Sequence, residues 1–162
     1  MHEIRWDDVK DWFNPHENGS MPDVLVPDAT MATWDALLAL IRSQAWRYEY
    51  DFRERRHPLP ISATELFPPD SQGGVRTLRV WPDPSIEWIV RPWSPDEIVS
   101  DVSLHEIQGQ ERLDAFCTFL RTLGAAVAKR VLVYAEGGND YPPMMAYEVA
   151  DDRVVFLAGP WR

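Results

Sequence analysis

The chain has 162 residues, of which 45% are hydrophobic and 12% aromatic, and its 26 acidic residues against 16 Lys and Arg give a net charge of −10. This length and composition predict one globular domain with a single core, and they exclude a largely disordered chain. The negative charge argues against nucleic acid as a partner, because phosphate binding depends on contacts from Lys and Arg.

The sequence also predicts a cellular compartment. The longest apolar run, 36–41, is far shorter than the roughly 18 residues that a membrane span requires. The first residues lack the basic and apolar regions of a secretory signal, and Cys117 is the single cysteine. We therefore expect a cytoplasmic protein with no membrane association and no internal disulfide.

The first two predicted helices lie in the N-terminal third. Residues 4–13 form a short amphipathic pattern, and a loop is predicted over 16–27. A longer helix is predicted to begin with Asp28 or Thr30 as its N-cap, since both residue types are preferred there. Its core-facing stripe follows the helical spacing i, i+3, i+4 and i+7 and consists of Trp34, Leu37, Leu38 and Ile41.

The clearest strand covers 46–53, where aromatic and charged residues alternate. Period-two alternation is typical of an antiparallel sheet with one buried face and one solvated face. The predicted buried face carries Trp46, Tyr48, Tyr50 and Phe52.

The rest of the chain adds six strands and one long helix. The helix is predicted over 108–123, with Gly124 as its C-terminal cap and a buried stripe of Leu113, Phe116, Cys117, Leu120 and Leu123. Because helices and strands are segregated along the chain, we predict an α+β fold. The predicted fold is a single domain, 1–162, with a mainly antiparallel sheet and two principal helices on one face. The segment 1–27, a short helix and a loop, is predicted to pack on this domain. The six strands are 75–81, 86–90, 98–104, 131–135, 144–149 and 153–157.

Common signatures of catalysis and metal binding do not occur in the sequence. His105-Glu106 begins like a zinc-binding helix motif, but Gly109 stands where the second histidine is required. Neither a P-loop, nor a G-x-G-x-x-G, nor a G-x-S-x-G motif is present. Cys117 lies on an apolar helical stripe, which favours packing over catalysis. We therefore predict no catalytic, cofactor or metal site.

Eight tryptophans are more than one core normally uses. Protein interfaces are enriched in Trp and Arg, so Trp88, Arg91 and Trp93, in a proline-rich segment, are predicted to form a partner-binding surface. The alternative is that these indoles, with Trp81 and with Trp161 near the C-terminus, close the open face of the sheet. Glu136, which follows the strand 131–135, and Asp140 in the next turn are predicted to extend the binding surface.

Arginines are concentrated in 53–57. We interpret this cluster as the solvated end of a strand, charged to discourage edge pairing. A patch that binds phosphate or nucleic acid is the alternative interpretation.

Several segments resemble small bacterial proteins: 22–26 with the Trp34 helix, 101–110, 119–124, 129–137, 147–149 and 152–154. In length, acidity and α+β layout, the chain is similar to immunity proteins of bacterial polymorphic toxin systems. Together with the net charge, the surplus of tryptophan and the missing catalytic signatures, this resemblance predicts a non-enzymatic protein that sequesters a cognate partner, such as a basic toxin domain. It implies no particular functional residues.

Two further hypotheses stay open at this stage. A pocket over the sheet face, lined by Trp46, Tyr48 and Tyr50 and gated near Glu136, would indicate a small-ligand-binding protein or a hydrolase-like enzyme. An exposed edge strand would instead allow a homodimer.

Overall fold

The computed structural model describes residues 4–68, 74–138 and 140–159 of the chain. In this part the α-helices are α1 (Trp6–Val9), α2 (Met31–Ser43) and α3 (Gln110–Val127). Short 3₁₀ helices cover Lys10–Phe13, Ala63–Glu65 and Leu104–Glu106. The strands are β1 (Asp23–Val26), β2 (Arg47–Phe52), β3 (Arg55–His57), β4 (Arg76–Asp83), β5 (Ile86–Arg91), β6 (Ile98–Asp101), β7 (Val131–Tyr134), β8 (Met145–Glu148) and β9 (Arg153–Phe156).

All of these strands belong to one sheet in the order β3-β2-β4-β5-β6-β1-β7-β8-β9. Every pairing is antiparallel. Helix α3 packs on α2 and on β4, β7, β8 and β9. The predicted class is confirmed: the fold is α+β, a single domain with an antiparallel sheet and its two long helices on one face.

Helix α2 begins where the sequence indicates. The Thr30 hydroxyl accepts a hydrogen bond from the Thr33 amide, and the Thr33 hydroxyl accepts one from the Thr30 amide. This reciprocal capping satisfies two backbone groups at the start of the helix. The whole predicted stripe, Trp34, Leu37, Leu38 and Ile41, is buried.

Helix α3 differs from its prediction at the C-terminal end. Gly124 is not a cap, because the helix continues to Val127 and ends at Ala128, which has a positive φ of 55°. A Cβ on Gly124 would lie 2.1 Å from a ring carbon of Tyr147, so the glycine is needed for the close approach of α3 and β8. Within the buried stripe, Phe119 is fully packed while Cys117 is only half-buried.

Two strands were not predicted from the sequence. The loop predicted over 16–27 contains β1, which lies between β6 and β7 and joins the two halves of the sheet. The arginine-rich segment contains β3, the edge strand next to β2. Arg56 on this edge forms ion pairs with Glu49 and Asp51 of β2.

The two faces of the sheet differ in composition. The inner face, toward the long helices, carries the apolar core, including Trp88, Val90 and Ile98. The outer face is polar at β2 and β4, where Arg47 pairs with Glu49 and lies 4.1 Å over the Trp81 ring. Further along, the outer face carries a cross-strand apolar row of Val99, Leu25, Leu132, Ala146 and Val155.

Within the described part of the chain, no helix combines the length and apolar character needed to cross a bilayer.

Candidate functional site

The outer face carries a groove of about 260 Å³ over β1, β5 and β6. Leu25 and Val99 form its apolar floor, and they are direct cross-strand partners. Its polar and aromatic lining consists of Asp23, Arg91, Trp93, Glu97 and Asp101. Three carboxylates therefore surround a single guanidinium.

The strand register brings two carboxylates face to face. Asp23 of β1 pairs directly with Asp101 of β6, so both side chains project from the outer face. Like charges in this position destabilise a sheet. Arg91 forms an ion pair with one oxygen of Asp101, whereas Oδ1 of Asp101 is buried and has no hydrogen-bond partner in the described part of the molecule.

The surroundings of Asp23 and Asp101 disfavour the ionised form of both carboxyl groups. Burial raises the pKa of Asp23, and the charges of Asp101 and Glu136 raise it further against the opposing effect of Arg91. Burial also raises the pKa of Asp101, although the charge and hydrogen bond of Arg91 act in the opposite direction. Both carboxylates are therefore less stable in the ionised form here than in water, and a further cation would stabilise them.

A tight turn places an indole at the rim of the groove. The Trp93 amide donates a hydrogen bond to the Arg91 carbonyl over 2.9 Å, which closes a three-residue turn around the buried Pro92. Arg91 therefore ends β5 on the groove wall, and Trp93 follows at 68% exposure. An indole held in this way offers a face for apolar or cationic groups.

Glu136 stands beside the groove without lining it. It follows β7, whose Tyr134 pairs with Asp23, and its charge acts on both Asp23 and Asp101. Gly19 packs against it: a Cβ there would lie 2.6 Å from the Cβ of Glu136. The glycine therefore allows the 16–22 segment to lie against this carboxylate.

The structure brings together three of the five residues predicted to bind a partner. Arg91 and Trp93 line the groove and Glu136 adjoins it. The prediction that Trp88 belongs to a partner-binding surface was wrong: its side chain is fully buried against Phe119. Asp140 is exposed in the turn after Glu136 and does not line the groove. Trp161 lies outside the described residues.

Asp23 and Asp101 are site residues that sequence reasoning missed. They are 78 positions apart in the chain, and only the pairing of β1 with β6 makes them neighbours. The one local signal was the alternation in β1, where Val24 and Val26 point inward and Asp23 and Leu25 therefore point outward.

The pocket that would combine Tyr50 with Glu136 does not form. Between β2 and β7 lie β4, β5, β6 and β1, a separation of about 24 Å at the usual strand spacing. Tyr50 instead lines a second cavity, at the β3 edge and on the helix side of the sheet, with a volume of about 330 Å³. We call this second site the edge cavity.

No three side chains of metal-binding type are grouped closely enough to hold a metal ion in residues 4–68, 74–138 and 140–159. The chain matches no protein-family model, and no curated protein or solved structure gives a significant match.

Proposed function

We propose that this protein is a non-enzymatic protein-binding module whose outer-face groove captures a basic segment of a protein partner. The observation that carries the proposal is the opposed pair Asp23–Asp101, a destabilising arrangement with a buried, unbonded carboxylate oxygen in the described structure. Local violations of folding rules of this kind concentrate at functional sites.

The groove suits the side chain of a lysine or arginine. The cationic end would pair with Asp101 and Asp23, and the hydrocarbon stem would cover Leu25 and Val99. The Trp93 indole would contact the cation through its ring face. Arg91 already neutralises part of the acidic lining, so the remaining negative charge of the groove can pair with one or two positive charges of a partner.

The charge of the whole chain supports the same class of partner. A net charge of −10 attracts basic surfaces and repels acidic ones, which raises the rate of productive encounter. Together with the resemblance to immunity proteins, this favours a basic toxin domain as the partner, which the bound protein would block by occlusion.

A matched pair of double variants tests the proposal. Asp23→Asn with Glu97→Gln removes two charges from the groove. Asp8→Asn with Glu111→Gln removes two exposed charges from α1 and α3, on the helix side. Each variant is used as bait in extracts of the native host, and retained proteins are identified by mass spectrometry.

We expect wild-type protein and the helix-side variant to retain the same basic protein and the groove variant to lose it. Co-expression then distinguishes an immunity role, since the retained protein should inhibit growth and only groove-competent variants should restore it. Equal retention by the two double variants would contradict the proposal, because it would reduce the interaction to overall charge. Retention of no basic protein by the wild type would also contradict it.

A further inference from the structure

The edge cavity lies on the opposite face of the sheet from the groove and has a different chemical character. Its walls come from β2, β3, β4 and the 58–65 segment, and it includes the apolar side chains of Leu59 and Ile61. The polar groups that face it are Tyr50, His57, Glu65 and Arg76. A volume of about 330 Å³ is at the small end of the range for ligand sites.

Arg76 is the central polar group of this cavity. It is the direct cross-strand partner of Phe52, and its guanidinium lies 3.9 Å over the Phe52 ring. Burial raises the pKa of the Tyr50 hydroxyl, and the positive charge of the nearby Arg76 opposes that rise. The Nε of Arg76 is buried and has no hydrogen-bond partner in the described structure. Arg76 itself is partly buried, and an unpartnered guanidinium nitrogen of this kind can accept an added anionic partner.

The carboxylate of Glu65 lines the same cavity, but no ion pair joins it to Arg76 in the described residues. One of its oxygens accepts hydrogen bonds from the backbone amides of Ile61 and Ser62, at 2.7 and 3.2 Å. These bonds cap the 3₁₀ helix Ala63–Glu65 and hold the carboxylate at the cavity wall. The Nε2 of His57 lies 3.1 Å from the Phe52 carbonyl, so this ring nitrogen is also engaged.

The Phe52 ring is held in place by the residues packed around it. Gly74 has a positive φ of 147°, and a Cβ there would lie 2.9 Å from the Phe52 ring. The backbone therefore passes directly over one part of the ring, and Arg76 stacks on it. The Phe52 ring and the Arg76 guanidinium are therefore already positioned in the free protein, which lowers the entropic cost of binding a ligand.

We infer that the edge cavity binds a small organic carboxylate with an apolar or aromatic body. The carboxylate pairs with the Arg76 guanidinium, whose fork geometry matches two carboxylate oxygens. The body packs against Phe52, Leu59 and Pro60. This site is independent of the partner-binding groove and does not rest on the proposed function.

Phenylacetate is a suitable probe, with phenylacetamide as its neutral isostere and phenethylamine as its cationic counterpart. Binding to the full-length protein is followed by backbone and side-chain NMR shifts. We expect saturable shifts at Tyr50, His57 and Arg76 with phenylacetate, at a Kd of about 1 mM or tighter. Binding of the amide and the amine should be at least about tenfold weaker.

Two variants locate the interaction. Arg76→Gln should weaken phenylacetate binding at least about tenfold, whereas Arg79→Gln should leave it unchanged, because Arg79 lies on the opposite face of the same strand. Should Arg76→Gln fail to fold, Arg76→Lys, which keeps the charge but loses the fork, should give a smaller loss. The inference is overturned by the absence of shifts at the cavity at 5 mM phenylacetate, by equal binding of the amide, or by full binding in the Arg76 variants.

Discussion

Asp23 and Asp101 oppose each other across β1 and β6, with Arg91 bound to only one of them. Burial raises the pKa of Asp23 above 3.8, so the folded state disfavours its ionised form. This penalty is fully present above the folded pKa, and it is relieved as the pH falls through that value toward 3.8. The protein is therefore less stable at neutral pH than it would be without this carboxylate.

Asp23→Asn removes the penalty. We expect the free energy of unfolding at pH 7 to rise by about 0.5 kcal/mol, the scale of a cross-strand charge pair. At pH 3.5 the wild-type carboxyl is largely protonated, and the gain should vanish. Urea unfolding at the two pH values measures both effects.

Asp8→Asn is the control for this experiment, because Asp8 is exposed on α1. Its unfolding free energy should change by less than about 0.5 kcal/mol at pH 7. A loss of stability in Asp23→Asn at pH 7 would mean that the ionised carboxylate supports the fold, and the functional reading of the pair would be wrong.

Trp88 and Trp93 are five positions apart and have opposite roles. Trp88 is fully buried, and Trp93 is 68% exposed. We expect Trp88→Ala to lower the free energy of unfolding by about 3–5 kcal/mol, because a large core side chain is lost. Trp93→Ala should change it by less than about 0.5 kcal/mol and weaken partner binding by about 2 kcal/mol.

Denaturant midpoints and partner affinity, measured on the same preparations, separate the two tryptophans. Unchanged partner affinity in Trp93→Ala would remove the indole from the binding surface. A stability loss in Trp93→Ala comparable to that of Trp88→Ala would contradict the solvent-exposed placement of Trp93.

At the scale of elements, the contact between α3 and β8 depends on Gly124. In an exposed helix interior, Gly→Ala stabilises by roughly 1 kcal/mol. Here we expect Gly124→Ala to destabilise by about 2–3 kcal/mol, since its methyl group would collide with the Tyr147 ring. Thermal and urea unfolding measure the sign directly.

Tyr147→Val provides the matching test. In that background the ring is gone, so Gly124→Ala should be neutral or stabilising. A stabilising effect of Gly124→Ala in the wild-type background would show that α3 and β8 are not in close contact at this point.

The elements predicted correctly are those that their own residues specify. Helix α2 has its capping threonines and its apolar stripe within one segment, and the alternation in β2 predicts the strand itself. Its predicted buried face is only partly correct, because Tyr50 is buried whereas Tyr48 is 37% exposed and Trp46 and Phe52 are half-buried. By contrast, β1 has four residues flanked by prolines, and its pairing with β6 and β7 depends on distant parts of the chain. The end of α3 was predicted wrongly for the same reason. A glycine is required at position 124 by the close contact with Tyr147, and not by the end of the helix.

The residues of the candidate site also divide into those that the local sequence indicates and those that only the fold brings together. Arg91 and Trp93, which the local composition indicated as interface residues, line the groove, while Asp23 and Asp101 meet only through strand register. The sequence around Trp88 does carry a local signal for its burial, namely period-two alternation. Trp88 alternates with Ile86 and Val90, all three of which face the core.

For the whole molecule, the net charge of −10 should govern association kinetics. With the proposed basic partner, raising NaCl from 50 to 500 mM should lower the association rate constant by about tenfold or more, because screening removes long-range attraction. The dissociation rate constant should change much less, since the contacts in the groove are short-range. Stopped-flow or surface-based kinetics measure the two separately, and an association rate that is independent of salt would contradict electrostatic capture.

Site-specific photo-cross-linking tests the central claim most directly. A p-benzoylphenylalanine at position 93, on the rim of the groove, should cross-link a basic protein in the producing cells. The same group at position 149, exposed in the turn between β8 and β9, should not. Cross-linking of the partner from position 149 and not from position 93 would contradict the account, because the binding surface would then lie away from the groove.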